Sequence, residues 1–293
     1  MHGRNSMSKV ALLGMGAMGF RVAQNLLSAN HKVFVYNRTA DKAIPLLDKG
    51  AVWAATPREA AESADIVISM VTDDDASRAI WLDQEKGAVM GLGKDAIAIE
   101  SSTLTVDWTK ELAANIESRG IAFLDAPVIG SRPQADAGKL IYVVGGSVET
   151  LTLAQDVLYA AGAAAIHVGP IGQGMAMKLA VNALFGIQVA ALAEILGMLN
   201  KQGIDPAKAM ECLGDMPVMS PAAKGVGNLM LMNNYAPMFP INLVEKDFRY
   251  VTQTAQTVAA ATPASNAIHG IYLEAIAKGY GNDNITGVAQ LFI

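Results

Sequence analysis

The sequence predicts an α/β protein, with a doubly wound, mostly parallel sheet first and an all-helical C-terminal part built on one long helix. Three observations predict it. From residue 8 to about 170, short apolar runs rich in β-branched residues alternate with helical segments. After Gly169-Pro170 those runs stop. Residues 174–201 then read as a single helix, apolar nearly all round.

The runs are Val10–Leu13, Val33–Tyr36, Ile66–Val71, Ala96–Ile99, Ile121–Leu124, Leu140–Val144 and Ala164–Val168. They do not alternate apolar with polar, which is how strands buried on both faces read. Amphipathic stretches between them, such as 41–49 and 105–119, give a repeated βα order and hence a parallel sheet. The long helix, about 28 residues, spans roughly 42 Å. A helix apolar on every side lies at the centre of its domain or between subunits. Shorter helices are expected at about 206–214, 221–232, 241–261 and 264–278, separated by Gly214, Pro221, Pro237, Pro240 and Pro263. The domain boundary is placed near 170, giving 7–170 and 171–293. Residues 1–6 precede a second Met at position 7 and have no apolar stretch, so they are expected to be a vector-derived leader.

Composition narrows the function. Lys and Arg total 22 against 27 Asp and Glu, a net charge of −5, and no run of basic residues exceeds two. That argues against nucleic acid as a partner. Hydrophobic residues make up 52% and charged ones 17%, against roughly 45–50% and 25% in an average soluble domain. So apolar a chain is expected to bury a large core and a subunit interface. No stretch reaches the roughly 18 uninterrupted apolar residues of a membrane span, because 175–199 is broken by Lys178, Asn182, Gln188 and Glu194. The single Cys212, with no CxxC or HExxH, leaves no metal or disulfide framework. The expectation is a cytoplasmic protein acting on small molecules, without membrane or metal.

The first chemical motif follows the first run. Gly14-Met15-Gly16-Ala17-Met18-Gly19 is a GxGxxG set between a strand and the helical Phe20–Ala29, the context that Rossmann-type dinucleotide binding requires. Gly14 permits the tight turn, Gly16 lets the backbone approach a pyrophosphate, and Gly19 lets the helix pack on the strand. Free N–H groups at the helix start face the anion. Val71, closing the third run, is placed among the same cofactor contacts. At the end of the second run, where an NAD-binding chain usually carries Asp or Glu for the ribose 2′-hydroxyl, this chain reads Tyr36-Asn37-Arg38-Thr39. An acid there repels a 2′-phosphate, whereas Arg38 pairs with it and Asn37 and Thr39 donate hydrogen bonds. The cofactor predicted is therefore NADP(H) over NAD(H); the other reading of Arg38 is a solvated loop cation.

The second motif is Gly169-Pro170-Ile171-Gly172-Gln173-Gly174, which opens the long helix ahead of Lys178 and Asn182. A spacing of four puts these two side chains on one face, one turn apart. Both are expensive to bury without partners, so they are expected to face a cleft where desolvation brings a lysine toward the range of a general acid. Spacing alone leaves open a lysine that snorkels to solvent from the helix start.

The chain resembles the β-hydroxyacid dehydrogenase family over essentially all of residues 7–293. The ordered blocks are Gly14–Gly19 with Asn25-Leu26 and Asn37-Arg38; Ser102-Thr103; Asp125-Ala126-Pro127-Val128 through Gly138-Lys139-Leu140 to Gly145-Gly146; Gly172-Gln173-Gly174 with Lys178 and Asn182; and Phe239 followed by Lys246-Asp247. The resemblance implies a Rossmann-type domain, an all-helical domain, and homodimers or homotetramers in which the helical domains pack together. It implies that Lys178 is the proton donor in aldehyde reduction, or the acceptor in alcohol oxidation, and that Asn182 hydrogen-bonds it or the substrate. It further implies cofactor contacts from Thr103 and Lys246, and substrate contacts from Phe239 and Asp247. For Asp247 a surface pair with Lys246 or a neighbouring base is the other reading.

One departure bears on the substrate. The family's usual Asp-Ala-Pro-Val-Ser-Gly-Gly is here Asp125-Ala126-Pro127-Val128-Ile129-Gly130-Ser131. Ile129 thus replaces a serine that helps hold a substrate carboxylate. Gly130 and Ser131 are left to offer backbone N–H groups, with the Ser131 hydroxyl as a partial substitute, and Ser131-Arg132 is similar to the glyoxylate/succinic semialdehyde reductase branch. The implied activity is NADPH-dependent reduction of short aldehydes or semialdehyde and 2-oxo acids, or the reverse dehydrogenation. Two alternatives remain open. Imine reductases share the architecture, and Ile129 suits a less acidic substrate, but they usually carry Asp or Tyr where this chain has Lys178. A non-catalytic NADP-binding sensor is disfavoured by the Lys178–Asn182 pair.

Overall fold

The computed structural model describes residues 7–293, so the expected leader at 1–6 lies outside the described residues. The chain forms two compact units, one running up to Lys178 and the other comprising Leu179–Ile293.

The first unit follows the βα order: β1 (Lys9–Leu13), α1 (Ala17–Ser28), β2 (Lys32–Tyr36), α2 (Ile44–Leu47), β3 (Val52–Trp53), α3 (Pro57–Glu62), β4 (Ile66–Ser69), α4 (Asp74–Leu82), β5 (Ile97–Glu100), α5 (Val106–Glu117) and β6 (Ala122–Asp125). After these come β7 (Val128–Ile129), α6 (Arg132–Asp136), β8 (Leu140–Gly145), α7 (Val148–Ala161), β9 (Gly162–Gly169) and the start of α8 (Gln173–Lys201). The strands make one sheet in the order β3-β2-β1-β4-β5-β6-β8-β7, with β9 also on β8. Its first six strands run parallel, in the doubly wound order that reverses between β1 and β4. β8 runs antiparallel to β6 and β7, with Asp125 opposite Gly145 and Val128 opposite Tyr142, and β9 runs parallel to β8.

Successive side chains on a strand point to opposite faces, and both faces are covered at the central strands, whereas β9 is half-exposed, so the run Ala164–Val168 is not the doubly buried strand expected. Val10, Leu12, Ile66, Ile68, Ile97, Ile99 and Leu124 join Val22, Leu26, Val157 and Leu158 of α1 and α7 in one core. Their alternates Ala11, Leu13, Val67, Ala98 and Phe123 are just as buried. That double burial is why these strands read as unbroken apolar runs.

Two features depart from the sequence reading. The expected helix at 41–49 splits into a 3-10 turn, Ala40–Ala43, and the four-residue α2. Pro45 has no N–H to continue the first turn but suits the start of a second. The short β3 and β7, two residues each, lie below the length at which a run is recognisable.

In the second unit, the rest of α8 is joined by α9 (Pro206–Gly214), α10 (Pro221–Leu231), α11 (Ile241–Thr257), α12 (Pro263–Ala277) and a 3-10 turn at Ile285–Leu291. By length and composition alone, α8 could cross a membrane. Its Val189, Ala190, Ala193 and Leu196 are instead fully buried, in a core with Ile241, Val244, Phe248, Tyr272 and Ile285. Gly186 makes room for the Phe248 ring, since a Cβ there would lie 2.6 Å from it, and the Tyr272 hydroxyl donates to the Gly186 carbonyl at 2.8 Å. Helix α11 stops at Thr257, short of the expected 261. Ala259 takes φ +53°, and the Ala260 N–H returns to the Ala255 carbonyl at 2.9 Å, closing the end. An alanine in this role gives no warning in the sequence.

Candidate active site

The nucleotide loop is built at the end of β1. Gly14 has φ +105°, and a Cβ on it would lie 2.3 Å from the Met70 carbonyl oxygen of the neighbouring strand end. A Cβ on Gly19 would lie 2.0 Å from the Gly14 carbonyl oxygen, so the helix can approach the loop only as glycine. Gly16 is different, because it is exposed and nothing lies within 4 Å of where its Cβ would be. Gly16 is also the N-cap of α1, makes no side-chain cap, and no acid stands in the first turn. Orphan helix N–H groups under an open glycine, with Ala17 and Met18 following, fit a pyrophosphate.

The structure ties the β2 end to this loop. The Asn37 side chain accepts from the Met15 N–H at 2.9 Å and donates to the Thr39 carbonyl at 2.8 Å. Arg38 and Thr39 beside it are exposed. On the other side, the Val71 N–H donates to Ser102 Oγ at 2.8 Å, and the Ser102 N–H donates to Glu100 Oε1 at 2.9 Å. Val71 and Ser102, the residue before Thr103, are thus held in one network whose anchor is Glu100. That carboxylate is fully buried and also accepts from Ser77 Oγ (2.7 Å) and Trp81 Nε1 (2.9 Å).

A second buried carboxylate, Asp125, ends β6. Its Oδ1 accepts from the Gly172 N–H at 2.8 Å and its Oδ2 from the Met175 N–H at 2.7 Å, capping the start of α8. Burial outweighs these hydrogen bonds and raises its pKa to about 6. Lys178, one turn further along α8, is itself buried at 8% exposure.

The substrate loop corrects the sequence reading. The Ser131 N–H is not left for a ligand: it donates to Gln134 Oε1 at 2.9 Å, in a capping box whose other arm is the Ser131 side chain accepting from the Gln134 backbone. Ser131-Arg132-Pro133-Gln134, a serine three residues before a glutamine with proline at the helix start, carries that signature in sequence. Ile129 lies in β7 opposite Ile141, half-exposed, and Gly130 follows at φ +124°.

In the second unit, Asn182 Nδ2 donates to Asp247 Oδ2 at 2.6 Å. Lys246 Nζ lies 3.2 Å from Asp247 Oδ1, outside hydrogen-bond alignment, and 5.0 Å from the Tyr250 ring centre. Lys246 and Asp247 are both buried, so Asp247 is not the surface residue of the alternative reading. Phe239 precedes α11; Asn284 Oδ1 accepts its N–H at 2.9 Å. The roles of Asn284, Glu100 and Gln134 escaped the sequence reading, as did the part Asp125 plays.

Strand order, glycine loop and helix start together define a Rossmann-type dinucleotide-binding protein. Comparison with known proteins places it further. The sequence model for the NAD-binding domain of 6-phosphogluconate dehydrogenase matches residues 9–169. The model for the NAD-binding part of NADP-dependent 3-hydroxyisobutyrate dehydrogenase matches 172–292. The chain is 32% identical to glyoxylate/succinic semialdehyde reductase 2 of Arabidopsis thaliana, over 96% of this chain and 78% of that one. It is 31% identical to the 3-hydroxyisobutyrate dehydrogenase of Pseudomonas aeruginosa, over 88% of each. The solved 3-hydroxyisobutyrate dehydrogenase of Mycobacterium tuberculosis with L-serine superposes with a TM-score of 0.86 at 27% identity, over 98% of this chain and 99% of that one. The chain belongs to the β-hydroxyacid dehydrogenase family and is an NAD(P)-dependent oxidoreductase acting on CH–OH groups.

Proposed function

We propose that the protein is an NADPH-dependent reductase of short aldehydes and semialdehyde or 2-oxo acids, running in reverse as a hydroxyacid dehydrogenase. The observation that carries the cofactor choice is the β2 end. It presents an exposed Arg38 between Asn37 and Thr39, with no carboxylate to meet a 2′-hydroxyl. The match to an NADP-dependent family model supports the same reading. When bound, the reduced nicotinamide supplies the hydride that reaches the carbonyl carbon.

The chain's residues do the rest. The Gly16 loop and α1 N–H groups hold the pyrophosphate, and Arg38 pairs with the 2′-phosphate. Val71, Thr103 and Lys246 contact the cofactor. The Lys178 ammonium gives its proton to the carbonyl oxygen as negative charge develops there, and takes it back in the oxidative direction. Asn182, with its amide anchored on Asp247, serves the same exchange, and Phe239 and Asp247 contact the substrate. With Ile129 in place of a hydroxyl and the Ser131 N–H engaged by Gln134, a substrate carboxylate has fewer donors to meet. The preferred substrate is correspondingly less dependent on one. A basic Lys178 supports carbonyl reduction over imine reduction.

The test is cofactor discrimination. Arg38→Ala should raise KM for NADPH about tenfold or more while leaving KM for NADH nearly unchanged, the loss of a charge-assisted fork being worth roughly 1.5–3 kcal/mol. Equal KM values for the two cofactors in the unaltered enzyme, or an unchanged ratio in the variant, removes the NADP(H) reading.

A further inference from the structure

The C-terminal ends of the central strands carry a row that the proposed chemistry does not use. Ser69, Glu100, Asp125 and Gly145 stand in register across β4, β5, β6 and β8, and the two carboxylates are fully buried neighbours. Burying a carboxylate without a paired cation is costly, and ordinary helix capping does not require it. Thr56, Asp73, Thr105, Ser147, Asp205 and Ser220 cap their own helices locally from the N-cap position. Helix α8 instead receives both oxygens of a residue 47 positions before Gly172.

The surroundings are shaped around that carboxylate. A Cβ on Gly145 would lie 2.3 Å from Asp125 Oδ1, and one on Gly174 would lie 2.8 Å from Oδ2. A strand and the first turn of a helix are therefore both glycine where they meet it. Met175, whose N–H Asp125 accepts, is fully buried, and its sulfur takes the Leu104 N–H at 3.2 Å. Lys178 lies three residues beyond Met175, on the same face and roughly 4.5 Å along the axis.

We infer that Asp125 is the positioning residue of the reaction: it clamps the first turn of α8 to the end of β6 and so fixes where the Lys178 ammonium stands. This rests on Lys178 being the proton donor. Both Asp125 oxygens are engaged by backbone N–H groups of the α8 start, so it acts through Lys178. The charged groups around it are Glu100, its register partner on β5; Lys110 of α5, whose side chain packs on Gly172; and Lys178 on α8. Its partner on β8 is Gly145, which brings no charge.

The experiment is a double-mutant cycle on the full chain with NADPH and glyoxylate, using Asp125→Asn, Lys178→Ala and the pair. Asparagine keeps the shape but turns an NH2 toward one of the two N–H donors. Asp125→Asn should lower kcat by about ten- to a hundredfold, the scale of a misplaced catalytic group, with the NADPH Kd within about twofold of the unaltered enzyme. The pair should be no slower than Lys178→Ala alone, because a clamp has nothing to position once the donor is gone. Equal loss in both backgrounds, or no loss of kcat, overturns the inference. If Lys178→Ala alone leaves kcat intact, it is the proton-donor reading that fails.

A measurement on the unaltered enzyme covers a variant that does not fold. The Gly172 and Met175 amide resonances should titrate with one midpoint near pH 6, and kcat should fall on the acid side with that same midpoint. Amides that do not move, or a kcat that ignores their titration, overturn the clamp equally.

Discussion

Two of the buried carboxylates end strands: Glu100 accepts the Ser102 N–H after β5, and Asp125 caps the start of α8. Asp125 also makes the fold sensitive to pH in an unusual direction. Its folded pKa, about 6, lies above the ordinary 3.8 because burial disfavours the ion. Between those values the folded protein holds a proton that the unfolded chain has lost, so stability from this group is complete below about pH 3.8 and gone above about pH 6. A rise of that size is worth roughly 3 kcal/mol. The stability of the unaltered protein minus that of Asp125→Asn, from urea unfolding, should therefore fall between pH 4 and pH 7; a difference that rises or stays flat contradicts the assignment. Ile129 gives the other prediction at this scale. Ile129→Ser should raise kcat/KM for glyoxylate or succinic semialdehyde by about one to two decades, since a hydrogen bond to a charged group is worth roughly 1.5–3 kcal/mol. Unchanged steady-state constants would show that position 129 does not meet a carboxylate.

Residues whose role is set by local geometry were legible in the sequence. The glycines of the nucleotide loop and the acid missing after β2 carry their meaning in spacing. Glu100 and Asp125 do not, because their partners sit on other elements. The hint was only that two apolar runs, Ala96–Ile99 and Ile121–Leu124, are each followed by an acid. The Ser131 capping box was legible too, and it engages the N–H that had been offered to the substrate.

At the scale of elements, buried strands and proline-bounded helices followed from apolar runs and breakers, whereas ends set by tertiary turns did not. Helix α11 shows why: Val258-Ala259-Ala260-Ala261 favours a continuing helix, and only the left-handed Ala259 stops it. Helix α8 holds a further feature that its uniform apolarity conceals. Leu184, Ala191, Ile195 and Met198 are exposed, and their spacing of seven, four and three residues puts them on one face. Val189, Ala190, Ala193 and Leu196 on the same helix lie in the core, while Met177 is exposed as well. We expect this stripe to be covered by a second copy of the chain. Ile195→Glu should shift the mass seen by light scattering on size-exclusion chromatography toward the monomer, and an unaltered protein that is already monomeric refutes the expectation.

At the scale of the whole molecule, a chain with net charge −5 is read as binding a multiply charged phosphate ligand. Local geometry resolves the contrast: under the proposed function the helix N–H groups at Gly16 and the exposed Arg38 hold the phosphates, so overall charge does not decide binding. The proposed role of Lys178 is to supply the proton in carbonyl reduction. Its most direct test is NADPH consumption against glyoxylate, succinic semialdehyde, tartronate semialdehyde, methylmalonate semialdehyde and a cyclic imine, by the unaltered enzyme and Lys178→Ala. Turnover of at least one carbonyl substrate is expected, with a kcat about a hundred- to ten-thousandfold lower in the variant and NADPH still bound. Turnover that survives Lys178→Ala, or consumption with the imine alone, contradicts it.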